Sequence, residues 1–216
     1  MALTLGDRTL YRLSVDDVER MLGSGVLTED TPVELLEGVL VDTSPKSPAH
    51  SRVLKAIDDW LLPLRVADRH WVRIEQPLAV PDRTSLPEPD LAVVLPAEDE
   101  TVHPRTALLV VEIAVSSYAT DTSVKPALYA EAGVPHYWVV DVARRRLEVR
   151  RDPVGAEYRR TEVHGPGEAV TALGSICRPS SSTSSSRTRA ALPGACAAWT
   201  CPATRRPSPR RPAGRR

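Results

Sequence analysis

Three residues have the types and spacing for metal-assisted hydrolysis. Glu112 interrupts the apolar run Leu108-Leu109-Val110-Val111-Glu112-Ile113-Ala114-Val115. A carboxylate buried within a strand is costly unless it is paired, protonated or bound to a metal. Asp90 opens a similar run, Asp90-Leu91-Ala92-Val93-Val94, directly after Pro87-Glu88-Pro89, whose prolines hold the preceding backbone extended. If the two strands are neighbours, both carboxylates can converge on one hard cation through oxygen ligands. Lys125 is the third candidate. It falls in the first turn of a helix, where a cation opposes the helix dipole, so helix stability does not explain it. It shares a helical face with Leu128, Tyr129 and Ala132, the face expected to meet a sheet. An ammonium beside two carboxylates and a cation would orient an attacking water and stabilise the charge of a pentavalent phosphorane. Each residue alone has an ordinary alternative: a strand glutamate facing water or an arginine, a turn aspartate after proline, a lysine whose head reaches solvent.

The elements that must position these groups follow from local pattern. Ser14 with Asp17 and the apolar Val15, Val18 and Leu22 predicts a capped peripheral helix ending near Gly23 or Gly25. Val33 to Val41 reads as two short strands about a Glu37-Gly38 turn, with a helical alternative left open by periodicity. Ser47 and Pro48 open a long amphipathic helix carrying Val53, Ile57, Trp60, Leu61 and Leu64. Strands are expected at Trp71–Glu75, Leu78–Val80, Pro89–Leu95 and Ala107–Val115, the last two apolar enough for a sheet covered on both faces. Val124–Ala132 predicts a helix capped by Ser123, with Pro126 in its first turn and Gly133 beyond its end. A strand pair, His136–Asp141 and Leu147–Arg151, surrounds the charged turn Val142–Arg146, and Glu157–Val163 is expected to add an edge strand. Helix, strands, helix, then strands makes an α/β fold, a mixed sheet flanked by helices. Tyr137 and Trp138 sit in an apolar strand and are expected to pack the core rather than stack on bases.

The net charge of zero conceals two unlike regions. Residues 177–216 hold nine arginines and no acid, which leaves 19 basic against 28 acidic groups in residues 1–176, a net of −9. Such a body resists broad non-specific DNA affinity, so a DNA substrate would require a metal or a local basic strip. Cys177, Cys196 and Cys201 all lie beyond the expected domain, which excludes a disulfide framework or cysteine-ligated zinc within it. No apolar stretch approaches a membrane span and the N-terminus lacks a signal-peptide layout, so a cytoplasmic protein without membrane association is expected.

Pro89-Asp90-Leu91, Val111 through Ser117, Asp121 through Lys125, Tyr129 through Val134 and Tyr137 through Asp141 occur in the order found in the Uma-type family of restriction endonucleases, which this chain resembles from about residue 12 to residue 173. That family belongs to the PD-(D/E)XK nuclease superfamily. Glu34 through Gly38 resembles its N-terminal acidic-glycine segment, and Ser47 through Ser51 the start of its first core helix. The resemblance implies a restriction-endonuclease-like domain over residues 1–176 and a Mg²⁺ or Mn²⁺ ion held by Asp90, Glu112 and the backbone carbonyl of Ile113. It also implies a lysine nearby and DNA as substrate, and a homodimer would suit double-strand cleavage. The superfamily lysine usually stands two residues after the glutamate, where this sequence has Ala114, so Lys125 would supply the amine from the adjacent helix. Glu37, His50 and Asp121 are additional candidates, with surface or capping roles as the alternative for Glu37 and His50. A catalytically weak protein that keeps the fold and binds a nucleic acid or protein partner is the competing function. Residues 177–216, rich in Ser, Pro and Arg, read as a disordered basic tail. A frameshift near Ile176 would explain the abrupt change, with a genuine basic arm as the alternative.

Overall fold

A six-stranded mixed sheet carries helices on both faces and brings the ends of its central strands to one cavity. The structure, a computed structural model, describes residues 4–5, 7–43, 45–66, 70–81, 84–96, 102–170 and 199–200. In chain order the elements are β1 (Thr4–Leu5), β2 (Arg8–Thr9), α1 (Val15–Gly23), β3 (Val33–Leu36), β4 (Val39–Asp42), α2 (Pro48–Val66), β5 (Trp71–Ile74), β6 (Leu91–Val94) and β7 (Leu109–Ala114). They continue with α3 (Tyr118–Ser123), α4 (Lys125–Glu131), β8 (His136–Asp141), β9 (Arg146–Val154), β10 (Glu157–His164), β11 (Ala169–Val170) and β12 (Trp199–Thr200). The large sheet runs β10-β9-β8-β7-β6-β5. Only β7 and β8 are parallel, and the crossover between them is α3 with α4. The expected mixed sheet with flanking helices is therefore present.

Alternation along the strands assigns each residue to a face. Leu91 and Val93, Leu109, Val111 and Ile113, Trp138 and Val140, and Leu147 and Val149 form one apolar cluster with Val53, Ile57, Leu61 and Leu64 of α2. On the other face Ala92 and Val94, Val110 and Ala114, and Tyr137 and Val139 pack with Tyr129 of α4 and with Ala132, its C-cap. Trp138 and Tyr137 are fully buried, as expected of core aromatics, and Trp138 stacks on Trp60 of α2.

Local signals act as their chemistry requires. Ser14 and Asp17 form a reciprocal capping box on α1. Ser47 Oγ accepts the His50 amide at 3.2 Å, satisfying one of the free N–H groups that open α2. The β3–β4 pair is a two-residue hairpin whose turn residues Glu37 and Gly38 both have positive φ, 47° and 80°. This is the backbone twist that matches right-handed strands. A side chain at Gly38 would in addition collide with Arg12 Cβ at 2.5 Å. Gly133, at φ +71°, ends the α4 region in the left-handed conformation.

Three expectations need correction or limits. Leu78–Val80 is not a strand: β5 stops at Ile74, Glu75 turns the chain at φ 49°, and Leu78 and Ala79 donate instead to the carbonyls of Pro87 and Pro104. Leu78 and Val80 are apolar because they are buried against the α4 face, not because they pair. Ser123 does not cap α4. It is the last residue of α3, a helix without apolar periodicity, and its hydroxyl bonds back to the Ala119 carbonyl as that of Thr122 does to Tyr118. The tail reading falls on residues 177–216, of which only Trp199–Thr200 are described, as the strand paired with β11; the disorder and frameshift expectations otherwise lie outside the described residues. Among the described residues no helix is long and apolar enough to cross a membrane.

Candidate active site

The start of β6, the C-terminal half of β7 and the first turns of α2 and α4 meet at a cavity of about 370 Å³. Leu91 pairs with Val111, so Asp90, the residue before β6, comes beside Glu112 at the end of the antiparallel ladder, and both line the cavity. Both are buried, at 7% and 3% exposure. Asp90 ends the ladder by substituting its side chain for a backbone partner: Oδ2 accepts the Ile113 amide at 2.6 Å. Its Oδ1 lies 2.8 Å from His50 Nε2 at the first turn of α2 and 3.3 Å from Lys46 Nζ. Burial works to raise the Asp90 carboxyl, but His50, the Ile113 amide and Lys46 together outweigh it and hold it below the usual carboxylate range.

Glu112 has a different environment. Its Oε1 accepts from Lys125 Nζ at 3.1 Å and from the Tyr129 hydroxyl at 2.8 Å, one helical turn further along α4. Burial raises its carboxyl well above the ordinary value; Lys125 opposes that shift while Asp121, Asp90 and Glu34 add to it. Lys125 is itself buried among three acids, with Glu34 Oε2 at 3.2 Å and Asp121 Oδ1 at 3.7 Å besides Glu112. Burial favours loss of its proton, yet Glu112, Glu34 and Asp121 prevail and hold its pKa above the ordinary lysine value. Lys125 is thus a fixed ammonium.

Of the sequence candidates, the structure brings Asp90, Glu112, Ile113, Lys125, His50 and Asp121 to this one cavity. Asp121 is buried beside Ser117, whose hydroxyl it accepts, and burial raises its carboxyl. Glu37 stands apart. It occupies the hairpin turn, its amide on Ser85 Oγ, and borders a separate groove. The acid of that segment that enters the cavity is Glu34, three residues earlier on β3, which also accepts the Glu88 amide at 3.3 Å. Glu75 and Lys46 were missed as well. Lys46 Nζ bridges Glu75 at 2.9 Å and Asp90. The available signal was modest: Glu34 is the lone acid within the short β3, where one side of each strand must face inward.

The donor set suits a hard divalent cation. His50, Glu75 and Asp90 each offer a ligand atom, and these lie within 4.8 Å of one another. Glu112 lies outside that trio, on Lys125 and Tyr129, but on the wall of the same cavity. Among the described residues seven carboxylates line the cavity, Glu34, Asp42, Glu75, Glu88, Asp90, Glu112 and Asp121, against two lysines. Burial is the main cause of the raised Glu88, Glu112 and Asp121 carboxyls and neighbouring acids such as Glu34 add to it, a strain that a bound cation would offset.

The comparisons with known proteins bear on the family and the fold. The family model Uma2, described as "Putative restriction endonuclease", matches residues 15–175. The chain belongs to the Uma2 family. A crystal structure described as that of a "putative nuclease belonging to DUF820" from Anabaena variabilis is similar to this Uma2 chain in fold, with a TM-score of 0.53 at 18% identity over 73% of this chain and 88% of that one. No curated protein matches the sequence. Family and fold are thereby as the sequence resemblance implied, and the match ends where the composition changes.

Proposed function

We propose that this Uma2 chain is a metal-dependent endonuclease that hydrolyses DNA phosphodiester bonds, using Mg²⁺ or Mn²⁺ held by Asp90, Glu112 and the Ile113 carbonyl. The observation that carries the reading is the buried pair Asp90, immediately before β6, and Glu112, on the neighbouring β7, in one cavity with more acid than its own cations neutralise. A bound divalent ion would supply a water of lowered pKa and polarise a phosphoryl oxygen. The chain's residues hold the rest of the chemistry in place. His50 and the Ile113 amide fix the Asp90 carboxylate, and Tyr129 fixes that of Glu112. Lys125, whose proton three acids retain, is a hydrogen-bond donor and a fixed positive charge toward a developing phosphorane and is not a base.

One observation favours the second reading, a protein that keeps the fold and binds a partner with weak or no catalysis. Ala114, in the position where the superfamily usually has lysine, is packed in the apolar core, and Lys125 is shared among three carboxylates rather than held by one. One experiment separates the two. The full chain is incubated with supercoiled plasmid in Mg²⁺ and in Mn²⁺ beside Asp90→Asn and Glu112→Gln. A nuclease loses at least about 100-fold in rate in either variant, since each removes a ligand of the activating ion. Cleavage that survives both changes rejects the site. DNA binding without cleavage, indifferent to metal, selects the second reading.

A further inference from the structure

Helix α3 forms a ridge between two environments of opposite charge. Ser117, Thr120 and Asp121 line the acidic cavity. On its other side Tyr118 and the carbonyl of Thr122 face β9 and the turn before it, where arginines gather. The Arg144 and Arg146 guanidinium groups lie over the Tyr118 ring, 5.2 and 5.3 Å from its centroid. Arg146 also donates to the Tyr118 hydroxyl at 2.6 Å. Buried Asp141, at the end of β8, anchors both, with Arg144 Nη1 at 3.1 Å and Arg146 Nε at 3.2 Å from its Oδ2. Arg150 ties Glu148 to the Thr122 carbonyl. Alternation along β8 and β9 directs Asp141, Glu148 and Arg150 to the face that carries Glu112.

This cluster is built to present positive charge. Three arginines, Arg144, Arg146 and Arg150, pair with two carboxylates, Asp141 and Glu148, a surplus of one positive charge in a domain that is otherwise acidic. Arg144 keeps 60% of its side chain exposed although ring and carboxylate fix its orientation. A guanidinium already ordered by stacking and a salt bridge loses little further entropy on binding, and its planar fork matches the oxygens of a phosphate. The position is also apt. Asp141 pairs with Ala114, two residues beyond Glu112 on the neighbouring strand, so the arginines sit one strand from the cavity, at the same end of the sheet.

We propose that Tyr118, Arg144 and Arg146 form a docking platform for the sugar-phosphate backbone of duplex DNA, placed so that a nearby phosphate of the same strand reaches the acidic cavity. The proposal rests on the nuclease reading for the second clause only. It answers how so acidic a domain holds a polyanion: the local strip supplies the attraction, while a bound cation would offset the carboxylates next to it. The contact is with phosphate and carries no base specificity.

The test is binding of the full-length protein to a short fluorescent DNA duplex of random sequence, read by anisotropy in Ca²⁺ over a series of salt concentrations. Arg144→Gln leaves Arg146 to pair with Asp141 and is expected to melt as the parent does. It should weaken Kd about three- to tenfold at low salt and lower the slope of log Kd against log salt by about one, as loss of one phosphate contact requires. Arg146→Lys keeps a cation near Asp141 but loses the stacked fork, and should weaken binding less. Arg160→Gln serves as control, an arginine of edge strand β10 whose side chain is 59% exposed, and should leave both quantities unchanged. Unchanged affinity and slope in Arg144→Gln, an equal loss in Arg160→Gln, or no DNA binding by the parent protein would each overturn the platform. Plasmid cleavage in Mg²⁺ measured in parallel keeps the two readings apart. Binding that depends on Arg144 without any cleavage upholds the platform and rejects the nuclease. Cleavage abolished by Glu112→Gln with binding indifferent to Arg144 does the reverse.

Discussion

Strand β7 buries all six of its residues, yet its two faces carry unlike chemistry. Leu109, Val111 and Ile113 pack in an apolar cluster with α2 and the neighbouring strands. Val110 and Ala114 do the same against α4, but Glu112 between them opens a network of Lys125, Glu34, Asp121 and Tyr129. Equal burial therefore hides a difference in what holds each face. The α2 face is stabilised by removal of apolar area from water, an effect without direction that tolerates exchange of one hydrocarbon for another. The α4 face near the cavity depends on a single buried ammonium set among acids, where loss of one partner strands the others.

Removal of that ammonium tests the contrast most severely. Lys125→Met leaves Glu34, Glu112 and Asp121 without their shared cation, and we expect a loss of about 3–5 kcal/mol in urea unfolding without metal. A loss near zero would mean that the acids protonate at little cost and that the network is dispensable for folding. On the opposite face Leu61→Ala, at a fully buried α2 position, should cost about 2–4 kcal/mol by cavity formation. Its remaining folded fraction should keep the cavity chemistry, seen as unchanged cleavage per folded molecule. A fall in specific activity would show the two faces to be mechanically coupled.

The smallest effect is one of pH. Burial raises the Glu112 carboxyl, so between the unfolded value of about 4.3 and the higher folded value the folded chain retains a proton that the unfolded chain has released. Metal-free stability thus declines as pH rises through that window. Asp90 slopes oppositely: burial is outweighed by His50 and its companions, the folded carboxyl is held low, and its contribution is lost as pH falls below the ordinary aspartate range. Glu112→Gln, unfolded by urea in EDTA at about pH 5 and about pH 8, should gain more over the parent at the higher pH. An equal difference at both values would show that burial does not control Glu112.

Much of this was legible beforehand, and the residues show why. Glu112 and Asp90 stand out because a carboxylate within or opening an apolar run is anomalous under any fold. Lys125 stands out against the dipole of its own helix. Glu75 and Lys46 lack such contrast, since each sits among polar or mixed neighbours, Glu34 stands out only within the four residues of β3, and all three enter the cavity through pairings between segments far apart in the chain. Leu78–Val80 misled because burial and strand pairing select the same residue types. Helix α3 escaped notice because Tyr118–Ser123 carries no apolar stripe and bonds its own hydroxyls back to its carbonyls.

Local interactions settled the elements: the Ser14 capping box, the Glu37-Gly38 turn and the alternation of β6 and β7 are decided by residues a few positions apart, where sterics and hydrogen bonding need no knowledge of the rest. Which acids share a cation was decided only by the folded chain. Charges interact across space, and it is the antiparallel register of β6 on β7, with α2 and α4 closing over its end, that makes neighbours of His50, Asp90, Glu112 and Lys125.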